Sequence, residues 1–354
     1  MKPSARRRID NFVCTMTLGF CGLLAVACGG SSSGPVAAPT TSALGLFDTV
    51  WNDFDASYSF FDLKGIDWND SRTRFLSQLT STSTDAQLFT VLSNMLLELE
   101  DPHVQLITPL GDSAYTAWFD QYPDNFDEEV VSATYLGATA MMSPQANLLF
   151  GQVDVDIGYL RIHSLGGAGH GDDIDFILSQ LAGIRGLIVD LRSNGGGNDL
   201  NGEAVSARFA DTSRLYRRVR FRDGPNHSDF GPPVDSFISP AGAQSFLGPV
   251  AVLTNRRALS SAESLVLAFD VLPNAVSVGD FTGGGSANPA QRTLANGWQY
   301  TVSRWIEYRP DGSTFEGVGI APDIRVDISA ADGAALRDTI MDTAISNLQN
   351  RISP

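Results

Sequence analysis

Over 354 residues the chain is 43% hydrophobic and 18% charged, enough apolar material for a full-sized core and unlike a disordered protein. Its formal net charge of −16 argues against nucleic acid as a partner. All three cysteines (Cys14, Cys21, Cys28) fall in the first 28 residues, so the remainder has no disulfide framework, cysteine nucleophile or thiolate metal site.

Lys2, Arg6, Arg7 and Arg8 precede an apolar run from Phe12 to Ala27, the form of an export signal and too short for a comfortable membrane span. The run ends in Leu24-Ala25-Val26-Ala27-Cys28, which resembles the bacterial lipobox, whose cysteine is lipidated and becomes the new N-terminus. The expectation is a protein of the cell envelope, held to a membrane by lipid on Cys28 and facing the periplasm or the cell surface. An ordinary cleaved signal or an uncleaved anchor is the alternative. Loss of residues 1–27 leaves a charge of about −19. Residues 29–43, rich in Gly, Ser, Pro and Thr, read as a flexible tether.

A helical subdomain is expected over 44–104. Leu46, Phe47, Val50, Trp51 and Phe54 recur at helical spacing, and a second segment runs from Trp68 to Leu79. Thr84 and Gln87 have the spacing of a capping box ahead of the stripe Leu88, Val91, Leu92, Met95, Leu96, Leu99. Pro102 stops that helix and leaves Asp101 and His103 at its edge. Residues 105–155 read as a small β-rich connection, with strands near Val130–Leu136 and Leu148–Val153.

From Ile157 strands and helices alternate: a strand at 158–162, a helix at Ile174–Leu181, and buried strands at Gly186–Leu191 and Val250–Thr254. A helix follows over Ser261–Phe269. This is an α/β pattern, with functional residues expected on loops at strand ends. The core is placed at 156–328 and a C-terminal helix at 329–354.

Asp190-Leu191-Arg192-Ser193-Asn194-Gly195-Gly196-Gly197 runs from a buried strand into glycines that let backbone N–H groups turn into a cleft. No Gly-Lys-Ser/Thr follows, which weakens a phosphate-loop reading. Asn255-Arg256-Arg257-Ala258-Leu259-Ser260-Ser261-Ala262-Glu263 puts serines where a strand gives way to a helix, whose N-terminus favours the negative charge of acyl transfer. Taken locally, the favoured reading of these residues is a plain N-cap, Ser260 or Ser261, with Glu263 as an acidic first turn.

Together DLRSNGGG, TNRRALSSAE, VGDFTGGGS and FEGVGIAPDI, with LELEDPHV upstream, resemble the tail-specific protease family of serine peptidases over roughly 44–327. The family includes the C-terminal processing peptidases and the tricorn core. The resemblance implies a crotonase-like α/β superhelix and hydrolysis of peptides or proteins without a cofactor. It places the nucleophile on Ser260, and the oxyanion hole on the N–H groups of Ser261 and Gly196, with Gly197 as the alternative. Many members use a lysine about 25 residues after the serine, but here that stretch is Thr282-Gly283-Gly284-Gly285-Ser286, and Lys64 is the one lysine after the signal. The likeness is therefore to the tricorn-like branch, with His103 as base and Glu316 orienting it; Pro102 stands where tricorn has a serine. A histidine suits the task because its ordinary pKa lies near working pH.

His163 reads as a structural strand-end residue, and His170 and His227 as solvated loop residues. No histidine pair has zinc-ligand spacing. Asp101 reads equally as a partner of His103 or a polar helix end, Arg192 as an internal ion-pair partner, and Asp323 as structural. The segment between His103 and Ile157 is about half a PDZ domain, so tail specificity is not implied. Two non-catalytic readings stay open: a lipoprotein that binds a peptide or apolar ligand on this fold, and a scaffold acting through its acidic surface.

Overall fold

The computed structural model describes residues 41–122, 125–327 and 337–353; the expected export signal, Cys28 and most of the expected tether lie outside them. Four helices open the fold: α1 (Ala43–Ser57), α2 (Phe61–Lys64), α3 (Trp68–Leu76) and α4 (Asp85–Leu97). The predicted stripes of the first, third and fourth helices point into one core, and the Thr84/Gln87 capping box forms. Tyr300 and Val302, from far downstream, close that core. They belong to an antiparallel sheet ordered β11 (Pro289–Thr293), β12 (Gln299–Ser303), β1 (Gln105–Thr108), β2 (Gly111–Ala114).

The segment expected to be a small β-rich connection is thus split. Its first hairpin joins the helical core, and the short helix α5 (Ala117–Gln121) follows. The strand expected at Val130–Leu136 is instead α6 (Glu128–Val130) running into a π-helical turn, Val131–Leu136. Its β-branched residues suggested a strand, but the Asp127 carboxylate caps the N–H groups of Glu129 and Val130 and starts a helix. Val131 and Leu136 bury one side of that helix.

β3 (Met141–Met142) and β4 (Leu149–Asp154) then lead antiparallel into the main sheet. Its parallel part comprises β5 (Ile157–Arg161), β6 (Gly186–Asp190), β9 (Val250–Thr254), β10 (Ala275–Gly279) and β14 (Ile324–Arg325), giving the seven-stranded order β14-β10-β9-β6-β5-β4-β3. Period-two alternation sends Leu187, Val189, Val250 and Val252 to one face, against α7 (His170–Gln180), α8 (Asp199–Ser206) and α9 (Ser261–Asp270). Ile188, Ala251 and Leu253 face α10 (Thr339–Ile352) on the other. A three-stranded sheet, β13 (Trp305–Tyr308), β7 (Arg214–Phe221) and β8 (Val234–Ile238), lies apart from both. The molecule is a mixed α/β fold with a helical opening, as the sequence indicated. Among the described residues no helix is long and apolar enough to cross a membrane.

Candidate active site

Ser260 sits between β9 and α9 with φ 60° and ψ −131°, a conformation L-residues avoid at a cost of about 1–3 kcal/mol. Two acceptors hold it there: its N–H reaches the Gly285 carbonyl and Glu263 Oε2, both at 3.1 Å. Glu263 is fully buried and also accepts from Thr282 Oγ1 (2.5 Å), Gly284 N (2.7 Å) and Gly285 N (2.8 Å). The residue that reads locally as an acidic first turn is thus a bracket joining the serine corner to the 282–285 glycine loop. Burial pushes its carboxyl up to about 8, against the pull of those donors.

The loop after β6 closes the other side. Gly196 has φ 94°, and a Cβ there would lie 2.8 Å from Ser260 Cβ and 2.9 Å from Ser261 N, so only glycine fits. Its N–H donates to Asn194 Oδ1 at 2.8 Å, so the amide expected at the oxyanion hole already has an acceptor. Ser261 opens α9, and its Oγ donates to the Gly197 carbonyl at 3.1 Å, pinning the two loops together.

His103 comes from the turn after α4. Thr301 Oγ1 donates to its carbonyl (2.6 Å) and accepts from Gln105 N (2.9 Å), so β12 fixes the turn. The His103 ring lies over the glycine loop: a Cβ on Gly285 would come within 3.0 Å of its Cε1. Gly285 therefore accepts the Ser260 amide and leaves room for the His103 ring where a side chain would stand, although among the described residues no hydrogen bond joins the serine hydroxyl to the ring. Catalytic hydrogen bonds are commonly long in free enzymes and tighten on substrate.

His103 Nδ1 is buried without a hydrogen-bond partner, 3.6 Å from Asp101 Oδ1. Asp101 is buried, accepts the His103 N–H (2.8 Å) and the Ser303 hydroxyl (2.8 Å), and is the one carboxylate within ion-pair range of the ring among the described residues. Burial would raise its pKa, but the hydrogen bonding of His103 and the charge of Lys64 hold it down at about 2. Glu316, the sequence candidate for orienting the imidazole, instead accepts Ser286 N at 2.6 Å. Burial and the Asp101 charge push it up to about 7, with Lys64 and His103 opposing. The FEGVGI motif earns its place by bracing the glycine loop: Gly317 N donates to Gly284 O (2.7 Å) and Ile320 N to Thr282 Oγ1 (2.7 Å).

A cavity of about 530 Å³ opens beside this corner, lined by Lys64, Pro102, Tyr115, Trp118, Gly283 and Glu316 among others. Lys64, remote in sequence, is thus a wall of the site. His170 is not solvated but buried, with Nε2 2.9 Å from Ser164 O; His227 is half-buried, and its Nε2 pairs with Asp55 at 2.9 Å. Arg192 is buried between Asp190 and Asp338, an internal ion-pair partner as expected, while Asp323 is exposed and accepts the N–H and hydroxyl of Ser277. Among the described residues no group of three or more His, Cys, Asp or Glu is placed to hold a metal ion.

The sequence pattern of peptidase family S41 matches residues 156–326, and that of the tricorn protease C1 domain residues 39–97. The chain is 26% identical over 194 residues to tricorn protease of Thermoplasma acidophilum, covering 54% of itself and 16% of that protein. A crystal structure from Parabacteroides merdae, of a protein assigned as a peptidase, superposes with a TM-score of 0.80 at 32% identity, covering 87% of this chain and 97% of that one. The photosystem II D1 C-terminal processing protease shares the fold, with a TM-score of 0.53 at 16% identity over 81% of this chain and 94% of that one.

Proposed function

We propose, since this chain belongs to peptidase family S41, that it is a serine peptidase in which Ser260 is the nucleophile and His103 the general base. With Nδ1 on the Asp101 side, Nε2 is the ring nitrogen left for the serine proton. Ser260 Oγ attacks the peptide carbonyl as His103 takes that proton. The tetrahedral oxyanion forms at the start of α9, where the Ser261 N–H and the helix dipole favour negative charge. Collapse breaks the C–N bond, His103 returns the proton to the leaving amine, and water then hydrolyses the acyl-enzyme. An oxyanion reaching Gly196 competes with Asn194 for its N–H, so Ser261 carries the greater part.

The observation that carries this reading is the place of Gly285, whose carbonyl accepts the Ser260 N–H and whose missing side chain leaves the space that the His103 ring borders. It predicts that Ser260→Ala cleaves a peptide library at least about three orders of magnitude more slowly than wild type, with an unchanged fold. A Ser260→Ala protein with the wild-type rate would refute it. We also propose that the protein works in the cell envelope, tethered by lipid on Cys28, on peptides or proteins there.

A further inference from the structure

The chain has one lysine beyond the export signal, and the fold spends it at the catalytic turn. Lys64 ends α2, and its Nζ donates to the Leu99 carbonyl at 3.0 Å and the Glu100 carbonyl at 3.1 Å. These carbonyls lie just past α4, where helical N–H partners have run out. The next residues are Asp101, Pro102 and His103. Glu100 itself has φ 46°, an uncommon conformation for a residue other than glycine, so this turn needs an external tie.

The ammonium also shares the cavity wall with Glu316. The site is otherwise rich in buried acid. Asp101 and Glu316 are buried, and the buried Tyr58 hydroxyl has both of their charges beside it. Around Glu316 the titratable groups are Asp101 and His103 on the turn after α4, Lys64 on α2, Tyr58 after α1, and Glu263 on α9. Lys64 is the only lysine or arginine in that set.

We propose that Lys64 is a positioning residue for the hydrolytic reaction: it clasps the turn that presents His103 and sets a positive charge on the cavity wall it shares with Glu316. The base remains His103, so this inference rests on the reading above. The role differs from that of a lysine general base, because this ammonium is spent on two carbonyls rather than aimed at the serine.

The test compares Lys64→Met, which keeps the length and removes the charge, with Lys64→Arg, which keeps the charge. Two readouts are taken on each folded protein: the pH profile of peptide turnover, and the carboxyl titration of Glu316 by NMR on ¹³C-glutamate-labelled protein, assigned with Glu316→Gln. Lys64→Met should lower kcat about tenfold or more, leave KM nearly unchanged, and move the acid limb of activity to higher pH, with Lys64→Arg restoring most of each. Glu316 should titrate at higher pH in Lys64→Met. A purely structural lysine would lower activity without moving either titration. An unshifted Glu316 in Lys64→Met overturns the proposal whatever the turnover. Because that readout needs no catalysis, it stands even if wild type cleaves no peptide, an outcome that would count against the Ser260/His103 reading instead.

Discussion

The geometry assigns the orientation of His103 to Asp101, and Asp101→Asn tests that assignment. When His103 takes the serine proton, the new imidazolium lies 3.6 Å from the Asp101 carboxylate. At an effective dielectric of about 20, two unit charges at that separation attract by about 4–5 kcal/mol. Removing the carboxylate charge should therefore slow kcat by about three orders of magnitude. Asparagine keeps the shape and one carbonyl oxygen, and the Ser303 hydroxyl can rotate to accept from its amide, so the fold should survive. The assay is steady-state peptide hydrolysis by Asp101→Asn and Glu316→Gln beside wild type, with thermal melts as the control for folding. Glu316→Gln should cost far less, since Glu316 contacts the glycine loop rather than the ring. If Asp101→Asn stayed within about tenfold of wild type while Glu316→Gln lost three orders, the orienting carboxylate would be Glu316 and the argument wrong.

Other variants probe the remaining supports. Gly196→Ala should abolish most turnover and lower Tm by several degrees, since its Cβ must displace Ser260 and adopt a left-handed φ; a crystal structure with Ser260 unmoved would contradict this. Glu263→Ala strands three donors, each left unsatisfied at about 1–3 kcal/mol, so a urea melt should show a loss of several kcal/mol. Burial raises Glu307 from 4.5 to about 7 despite Arg217, so the folded protein holds a proton there that the unfolded chain has released. Its contribution is whole below about pH 4.5 and is lost as pH rises through about 7. Calorimetry at pH 5, 6, 7 and 8 should show that decline, and Glu307→Gln should make it shallower, with the raised carboxyls of Glu263 and Glu316 accounting for what remains.

The parts of this molecule legible in the sequence are those whose cause is local. Helical stripes such as Leu88 to Leu99 and the buried run of β6 follow from periodicity, and the Ser260 corner follows from a strand, a tight turn and a helix start in succession. The π-helical turn at Val131–Leu136 departs from the expected strand because its β-branched residues carry a strand signal that the Asp127 cap overrides. Asp101 could not be told from a polar helix end because Ser303 and Thr301, which fix its turn, lie on β12 and reach it only through the fold. The same holds for Lys64, whose partners lie on the far side of α3 and α4, and for Glu263, whose donors come from the glycine loop. Polar loops suggest solvation for His170 and His227, yet the Ser164 carbonyl six residues upstream takes in the one and the Asp55 carboxylate across the fold pairs with the other.

The most direct measurement is labelling of the intact protein with a fluorophosphonate, read by peptide mass spectrometry in wild type and His103→Ala. An adduct on Ser260 in wild type, formed far more slowly without the imidazole, is the predicted result. A Ser260 that stays unmodified, or one labelled equally fast in both proteins, would contradict histidine-activated serine chemistry at this corner.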